Sequence, residues 1–253
     1  LWLERAVAKR KGMIRKMKIG IVDSGVGGLT VLNTLANKFP NNEYIYYGDN
    51  KNFPYGNKSL DELKALCDDI IHFLIKKEVE IIIFACGTLS SSVFDYVKNK
   101  YKIKFYSVIE TTIEYINNSN YKNVGVIATM FTINTHIFKN SINKNVYELS
   151  CPNLANLIED LNYLEINKYI FNNIKKLESC DALIMGCTHY SVIKENIQKI
   201  IPNVTLIDMG EYIALSNNGN KSSVDLYFTK LDNKLNKNIN NILDVKIDSI
   251  NLV

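Results

Sequence analysis

The chain has 253 residues, of which 47% are apolar and 22% charged. That balance is ordinary for a globular protein and excludes disordered and collagen-like classes. Net charge is only +4, and no apolar run approaches the roughly 18 residues of a membrane span, so neither a strongly basic nucleic-acid binder nor a membrane protein is expected.

The positive charge is concentrated at the start. Residues 1–18 hold seven basic side chains and one acid, so this stretch carries +6 and the rest of the chain −2. A nucleic-acid function would rest on this arm alone. The expectation is a basic N-terminal extension over residues 1–17, frayed or produced by an upstream start, since Met13 and Met17 both stand just before the first strand-like run. The four residues between Lys18 and Asp23 are too few for the apolar core of a secretory signal.

Short β-branched runs then alternate with longer helical patterns. The runs cover 18–22, 44–47, 81–85, 104–108, 124–128, 146–149, 182–185 and 204–207. They are nearly all apolar, the pattern of strands buried on both faces in a parallel sheet. Between them, 60–77 has helical period, with Leu63, Leu66, Ile70, Ile71 and Leu74 on one face and Asp61, Glu62, Asp68 and Asp69 opposite. Ser59 followed by Glu62 predicts a capping box at its start. The segment after Ser216 is rich in Asn and Lys and reads as a poorly packed loop and an amphipathic terminal helix. The fold class is α/β.

The chain also echoes itself. Ile81-Ile-Ile-Phe-Ala-Cys86-Gly-Thr88 is similar to Ala182-Leu-Ile-Met-Gly-Cys187-Thr-His189, 101 residues later. That spacing suits one small α/β domain. Two similar domains are expected: residues 18–108 with 216–253, and residues 109–215.

Ligands in open parallel sheets bind beyond the carboxyl ends of the strands. Asp23 and Ser24, Asp49, Cys86 and Cys187 all fall at such ends. The turn Asp23-Ser-Gly-Val-Gly-Gly-Leu29 is neither GxGxxG nor GxxxxGK[ST], so a nucleotide site is weakly supported. The five cysteines are odd in number, contain no CxxC, and read as free thiols of a reducing, cytoplasmic compartment. Cys187 and His189 are the only close Cys/His pair, and no metal is expected. Two cysteines at matched ligand edges suit one reaction in particular. Inverting a stereocentre needs one base to remove a proton from one face and another acid to deliver a proton to the opposite face. His189 and Asp23 stand ready to poise the thiols. Cys67, Cys151 and Cys180 are read as structural, His72 as a boundary residue on the inner face of its helix, and His136 as a surface residue.

Together these motifs resemble the glutamate racemase family. The matching stretches are Ile-Val-Asp-Ser-Gly-Val-Gly-Gly-Leu-Thr-Val over 21–31, Tyr47-Gly-Asp49, Pro54-Tyr-Gly56, Cys86-x-Thr88, Glu159 after Cys151-Pro152, and Met185-Gly-Cys-Thr-His-Tyr190. The resemblance implies two flavodoxin-like domains with parallel sheets and the active site in the cleft between them. It implies a cofactor-independent interconversion of L- and D-glutamate, with Cys86 and Cys187 as acid/base thiols. Cys86 would take the α-proton of D-glutamate and Cys187 that of L-glutamate. Asp23 would assist Cys86, and His189 with Glu159 would assist Cys187. Ser24, Tyr55, Gly56, Thr88 and Thr188 would hold the substrate, with Thr129 and Thr132 in a further carboxylate-binding loop. The family's D-glutamate feeds peptidoglycan, and members are commonly homodimers.

The chain departs from the family pattern at Gly87, where Cys-Asn-Thr is usual, so a polar substrate contact is lost and the loop is expected to loosen. Leu89 replaces a small residue and is expected to crowd the site. Glu110-Thr111-Thr112 stands in place of a Pro-Gly turn, Ala128 in place of a glycine, and Ser191 in place of a proline. These departures leave two alternatives open: the same chemistry on another amino acid such as aspartate, or an amino-acid-binding paralogue with little catalysis. A hydrolase using Cys86 as nucleophile would leave Cys187 without a role.

Overall fold

The computed structural model describes residues 17–217 and 222–253. The N-terminal arm expected over 1–17 lies, except for Met17, outside the described residues.

Each apolar run forms a strand: β1 (Lys18–Asp23), β2 (Glu43–Gly48), β3 (Ile81–Phe84), β4 (Lys104–Ser107), β5 (Asn123–Ala128), β6 (Asn145–Ser150), β7 (Ala182–Met185) and β8 (Thr205–Asp208). Two further strands, β9 (Ser223–Phe228) and β10 (Ser249–Leu252), flank a helix over Asn233–Ile242. The expected amphipathic helix is thus present, residues 218–221 of the expected loop lie outside the described residues, and the two packed strands are what the Asn and Lys content did not suggest. Leu235 and Ile239 of the helix are buried, and β9 alternates buried and half-buried residues instead of running apolar throughout.

The strands make a six-stranded sheet, β10-β9-β2-β1-β3-β4, and a four-stranded sheet, β6-β5-β7-β8. Every pairing is parallel. Each half contains the flavodoxin-type order in which the third strand jumps back beside the first, on the side opposite the second. The resulting crevices lie between β1 and β3 in one half and between β5 and β7 in the other.

Successive residues of a strand face opposite sides, and the core follows that parity. Ala182 and Ile184 join a central cluster together with Ile19, Ile21, Ile81, Ile83, Val124 and Val126, so one apolar core spans the inner faces of both sheets. Leu183 and Met185 face an outer layer of the second half, and Ile82 and Phe84 an outer layer of the first. Strands that are apolar on both faces would leave that surface in water, so helices must cover both faces.

The helix Leu60–Lys76 begins with the capping box that the sequence predicts: Glu62 N–H donates to Ser59 Oγ at 3.3 Å, and Ser59 N–H to Glu62 Oε2 at 2.8 Å. Losing such a cap costs about 1 kcal/mol. Ser59→Ala is therefore expected to lower Tm by roughly 2–4 °C in a thermal melt while leaving the site's chemistry unchanged.

Candidate active site

Cys86 and Cys187 each stand two residues beyond the last residue of a central strand, β3 and β7. Both strands border the crevice of their half, so the topology alone points both thiols at the same kind of place. The two places are one place. A cavity of about 250 Å³ is lined by both cysteines, below the roughly 300–1,000 Å³ of drug-sized sites and suited to a small metabolite.

Cys86 precedes the helix Gly87–Ser92. Its thiol donates to Ser24 Oγ at 3.7 Å. Burial and the nearby Asp23 carboxylate push this thiol up to about 12, against the opposing pull of the Leu89 amide and the Ser24 hydroxyl. Cys187 instead faces an imidazole, with His189 Nδ1 at 3.7 Å from its Sγ. His189 Nε2 lies 3.0 Å from Glu159 Oε1. Burial by itself lowers the His189 pKa, but the bonds with Cys187 and Glu159 prevail and hold it well above the ordinary imidazole value. An imidazole so placed favours its charged form, and it stands beside the Cys187 sulfur.

Asp23 lies behind the cavity wall, completely buried. Its carboxyl accepts from Gly25 N–H at 3.0 Å and from the Thr188 hydroxyl at 3.1 Å. Burial raises its pKa, although the charge of His189, two backbone amides and Thr188 pull the other way. The carboxyl thus ties the first half's turn to the second half's Cys187-Thr188-His189 turn.

The glycines of the 23–29 turn acquire a reason here. A Cβ on Gly27 would stand 2.5 Å from both His189 Nδ1 and Thr188 Oγ1. Gly27 thus makes room for the other half, and Gly28 for the Asp23 side chain of the turn itself, 2.5 Å from where its Cβ would stand.

Ser24, Tyr55, Gly56, Gly87, Thr88 and Thr129 line the cavity, as do Thr188 and His189. Thr132 does not: it is fully buried and supports Thr129 from behind, Oγ1 to Oγ1 at 3.1 Å. Glu159 also stays behind, reaching the cavity only through His189. The Tyr55 hydroxyl is committed to Asp49, to which it donates at 2.5 Å. Asp49 accepts from Asn52 and Thr229 as well, so it organises the loop carrying Tyr55 and does not line the cavity. Leu89 points into the outer core of the first half and does not crowd the site.

Several lining residues gave no signal in the sequence. Phe53 packs against the His189 ring with centroids 5.1 Å apart. Asn57, Asn134, Asn153 and Asn156 add amide groups, and Cys151, read as structural, forms part of the wall. Among the described residues no lysine or arginine lines the cavity, and no group of three or more His, Cys, Asp and Glu is placed to hold a metal. His72, expected on an inner face, is exposed and meets Tyr101 edge-on.

The Asp/Glu/Hydantoin racemase family model matches residues 24–214. The chain belongs to this family. It is 40% identical over 200 residues to a glutamate racemase of Fusobacterium nucleatum, covering 74% of this chain and 75% of that one. It is 34% identical over 266 residues to glutamate racemase 3 of Caldanaerobacter subterraneus, covering 94% and 95%. Among solved structures it is similar to a glutamate racemase from Francisella tularensis in complex with D-glutamate, with a TM-score of 0.81, 30% identity, and 94% and 97% of the two chains covered.

Within this family fold, Gly87 does the opposite of loosening its loop. A Cβ there would stand 2.2 Å from the backbone oxygen of Gly186. The residue after the first cysteine touches the residue before the second, and only hydrogen fits between them. Overpacking against backbone costs about 1–3 kcal/mol. Gly87→Asn, the residue expected from the family pattern, should thus not restore a contact: steady-state turnover is expected to fall at least about tenfold, together with Tm.

A second outcome concerns Cys86. With its thiol near 12 it is protonated at neutral pH, so the thiolate fraction and the rate of iodoacetamide modification should climb about tenfold per unit between about pH 7 and 10. Peptide-resolved mass spectrometry measures this, and a plateau near pH 9 would contradict the raised value.

Proposed function

We infer that the protein is an amino-acid racemase that interconverts L- and D-glutamate. The observation that carries this reading is the delivery of two thiols, one from each half, into a single small cavity. Relatives called glutamate racemases at 30–40% identity support it, and so does the D-glutamate in the Francisella complex.

In the forward direction the Cys187 thiolate takes the α-proton of L-glutamate, and the electron pair left on the α-carbon delocalises into the carboxylate. The Cys86 thiol gives its proton to the opposite face, leaving D-glutamate, a Cys86 thiolate and a Cys187 thiol. The reverse reaction runs from that state. His189 beside Cys187, with Glu159 behind it, stabilises the thiolate that begins the L-to-D direction. Asp23 acts on the Cys86 side, where its carboxylate disfavours a thiolate and favours the protonated donor. In the D-to-L direction the substrate's ammonium offsets that carboxylate.

Hydroxyls of Ser24, Thr88, Thr129 and Thr188, with the Gly56 and Gly87 backbone and the Tyr55 loop, hold the substrate. Thr132 contributes by fixing Thr129. Strand membership of the two sheets supports a first domain of residues 18–108 with 216–253 and a second of 109–215. On the resemblance alone we extend the reading to a cytoplasmic homodimer whose product supplies peptidoglycan. No described helix is long and apolar enough to cross a membrane.

The test is NMR of L-glutamate and D-glutamate, incubated separately with the protein in D₂O under reducing conditions. Loss of the α-proton signal with inversion in both directions is expected. Replacing one thiol removes an acid/base group worth about 10²–10⁴ in rate, so Cys86→Ser and Cys187→Ser should each slow inversion by about that factor in both directions, leaving a measurable residual rate. Near-native racemisation by either variant would overturn the two-thiol assignment.

A further inference from the structure

Glu159 holds His189 and its helix packs within its own half, but its backbone oxygen finds a partner in the other half. It is the last residue of a short helix, Leu154–Glu159, and Leu161, two residues on, has a positive φ of 55°. Carbonyls at such a helix end lack partners within the helix. The partner here comes from the other half. Asn238 Nδ2 donates to the Glu159 backbone oxygen at 3.3 Å. One turn earlier on the same helix face, Lys234 Nζ meets Asp160 Oδ1 at 2.5 Å.

The helix that supplies both groups, Asn233–Ile242, is fixed to the first half. Leu235 and Ile239 are part of the central core, and Asp232 caps its start by accepting from Leu235 N–H at 2.8 Å. Asn238 is itself buried, with 4% of its surface exposed, so its amide is removed from water and its bond is not readily replaced by solvent. The Lys234–Asp160 pair is exposed on both sides and holds little alone.

We propose that Asn238, backed by Lys234, is a positioning residue for the Glu159–His189–Cys187 side of the reaction. The inference rests on the two-thiol reading. A C-terminal segment with no group in the cavity thereby sets the carboxylate that orients the imidazole, and through it the thiol that removes the α-proton of L-glutamate. Cys86 has no counterpart contact with this helix, so the effect is one-sided.

Rate alone cannot expose a one-sided effect. The two enantiomers have equal free energy, so kcat/KM in the two directions must fall together whichever thiol is impaired. Isotope effects separate them. When the Cys187 step slows, it governs the rate, and deuterium at the α-carbon of L-glutamate is felt more strongly. With α-deuterated D-glutamate the effect shrinks, because removal of that deuterium by Cys86 governs the rate less.

The experiment measures kcat/KM and α-deuterium isotope effects in both directions for the full chain and for Asn238→Leu, Lys234→Met and Cys187→Ser. Leucine keeps the volume of asparagine and removes the donor. Asn238→Leu is expected to lower kcat/KM about tenfold, with the isotope effect rising for L-glutamate and falling for D-glutamate. Lys234→Met, at the surface, should shift both in the same sense by less, and it tests the link if Asn238→Leu does not fold. A loss of rate with both isotope effects unchanged would make Asn238 merely structural and overturn the proposal, as would native kinetics in both helix variants. Cys187→Ser separates the two failures. If it raises the L-side isotope effect and the helix variants do not, only the positioning role falls. If Cys187→Ser leaves that effect unchanged, the two-thiol reading falls and the proposal with it.

Discussion

The site depends on two backbone turns from different sheets lying in direct contact. Each half of the chain supplies one thiol, and inversion at carbon needs both within reach of the same atom. Side chains between the turns would hold the halves apart. At Gly87 there is none, and the Gly186 oxygen occupies the space a Cβ would need. At Gly27 the same condition admits His189 and Thr188. The contact is made of backbone, which cannot swing aside as the end of a lysine or methionine can. That rigidity is what fixes the distance across which a proton must be taken and returned.

A second constraint is electrostatic. Asp23 and His189 are buried, with Glu159 half-buried beside them, and a charge on either of the buried two alone would be expensive to remove from water. They are tolerable as a set because the imidazole lies within reach of both carboxylates and the remaining lone pairs are met by amides and a hydroxyl. Burial, and after it the neighbouring Asp23, disfavour a negative charge on Cys86. Cys187 has the imidazole beside it. In the proposed reaction the two thiols share one task in unlike surroundings, and the ammonium of an incoming amino acid would supply positive charge on the Asp23 side.

Much of this was legible in the sequence, for a physical reason. Strands buried on both faces must be apolar throughout, so β1, β3, β5 and β7 announced themselves, and the cysteines at the ends of β3 and β7 could be placed on the ligand side without coordinates. β9 escaped because Ser223-Val-Asp-Leu-Tyr-Phe228 buries alternate residues only, and its surroundings are rich in Asn and Lys. Gly87 was misread for a related reason. Along the chain it is a missing side chain, and only the fold reveals that Gly186 fills the gap. Asn57 and Asn134 meet Cys151 and Asn153 in the cavity wall from three separate stretches of chain, and no spacing along the chain encodes such a meeting. Thr132 had the right neighbourhood but the wrong depth.

The absence of arginine and lysine from the described cavity wall fits a problem that racemases alone among amino-acid enzymes must solve: one pocket has to accept a molecule and its mirror image. An arginine fork presents its donors in a fixed plane and direction, which favours one hand of a chiral substrate. Hydroxyls rotate about their C–O bond and can donate or accept. Here they form a connected set across the cleft: Thr88 of the first half meets Thr129 of the second at 3.2 Å, Thr129 meets Thr132 at 3.1 Å, and Ser91 reaches Thr132 at 3.4 Å. Either atom of the Thr88–Thr129 pair can be the donor. Reorienting such a set as the substrate changes hand requires only proton rotations, with no movement of heavy atoms. The rigid elements of the site, the glycine contacts, thus lie where the two halves meet backbone to backbone, and the adaptable ones where the proposed reaction would hold the substrate's carboxylates.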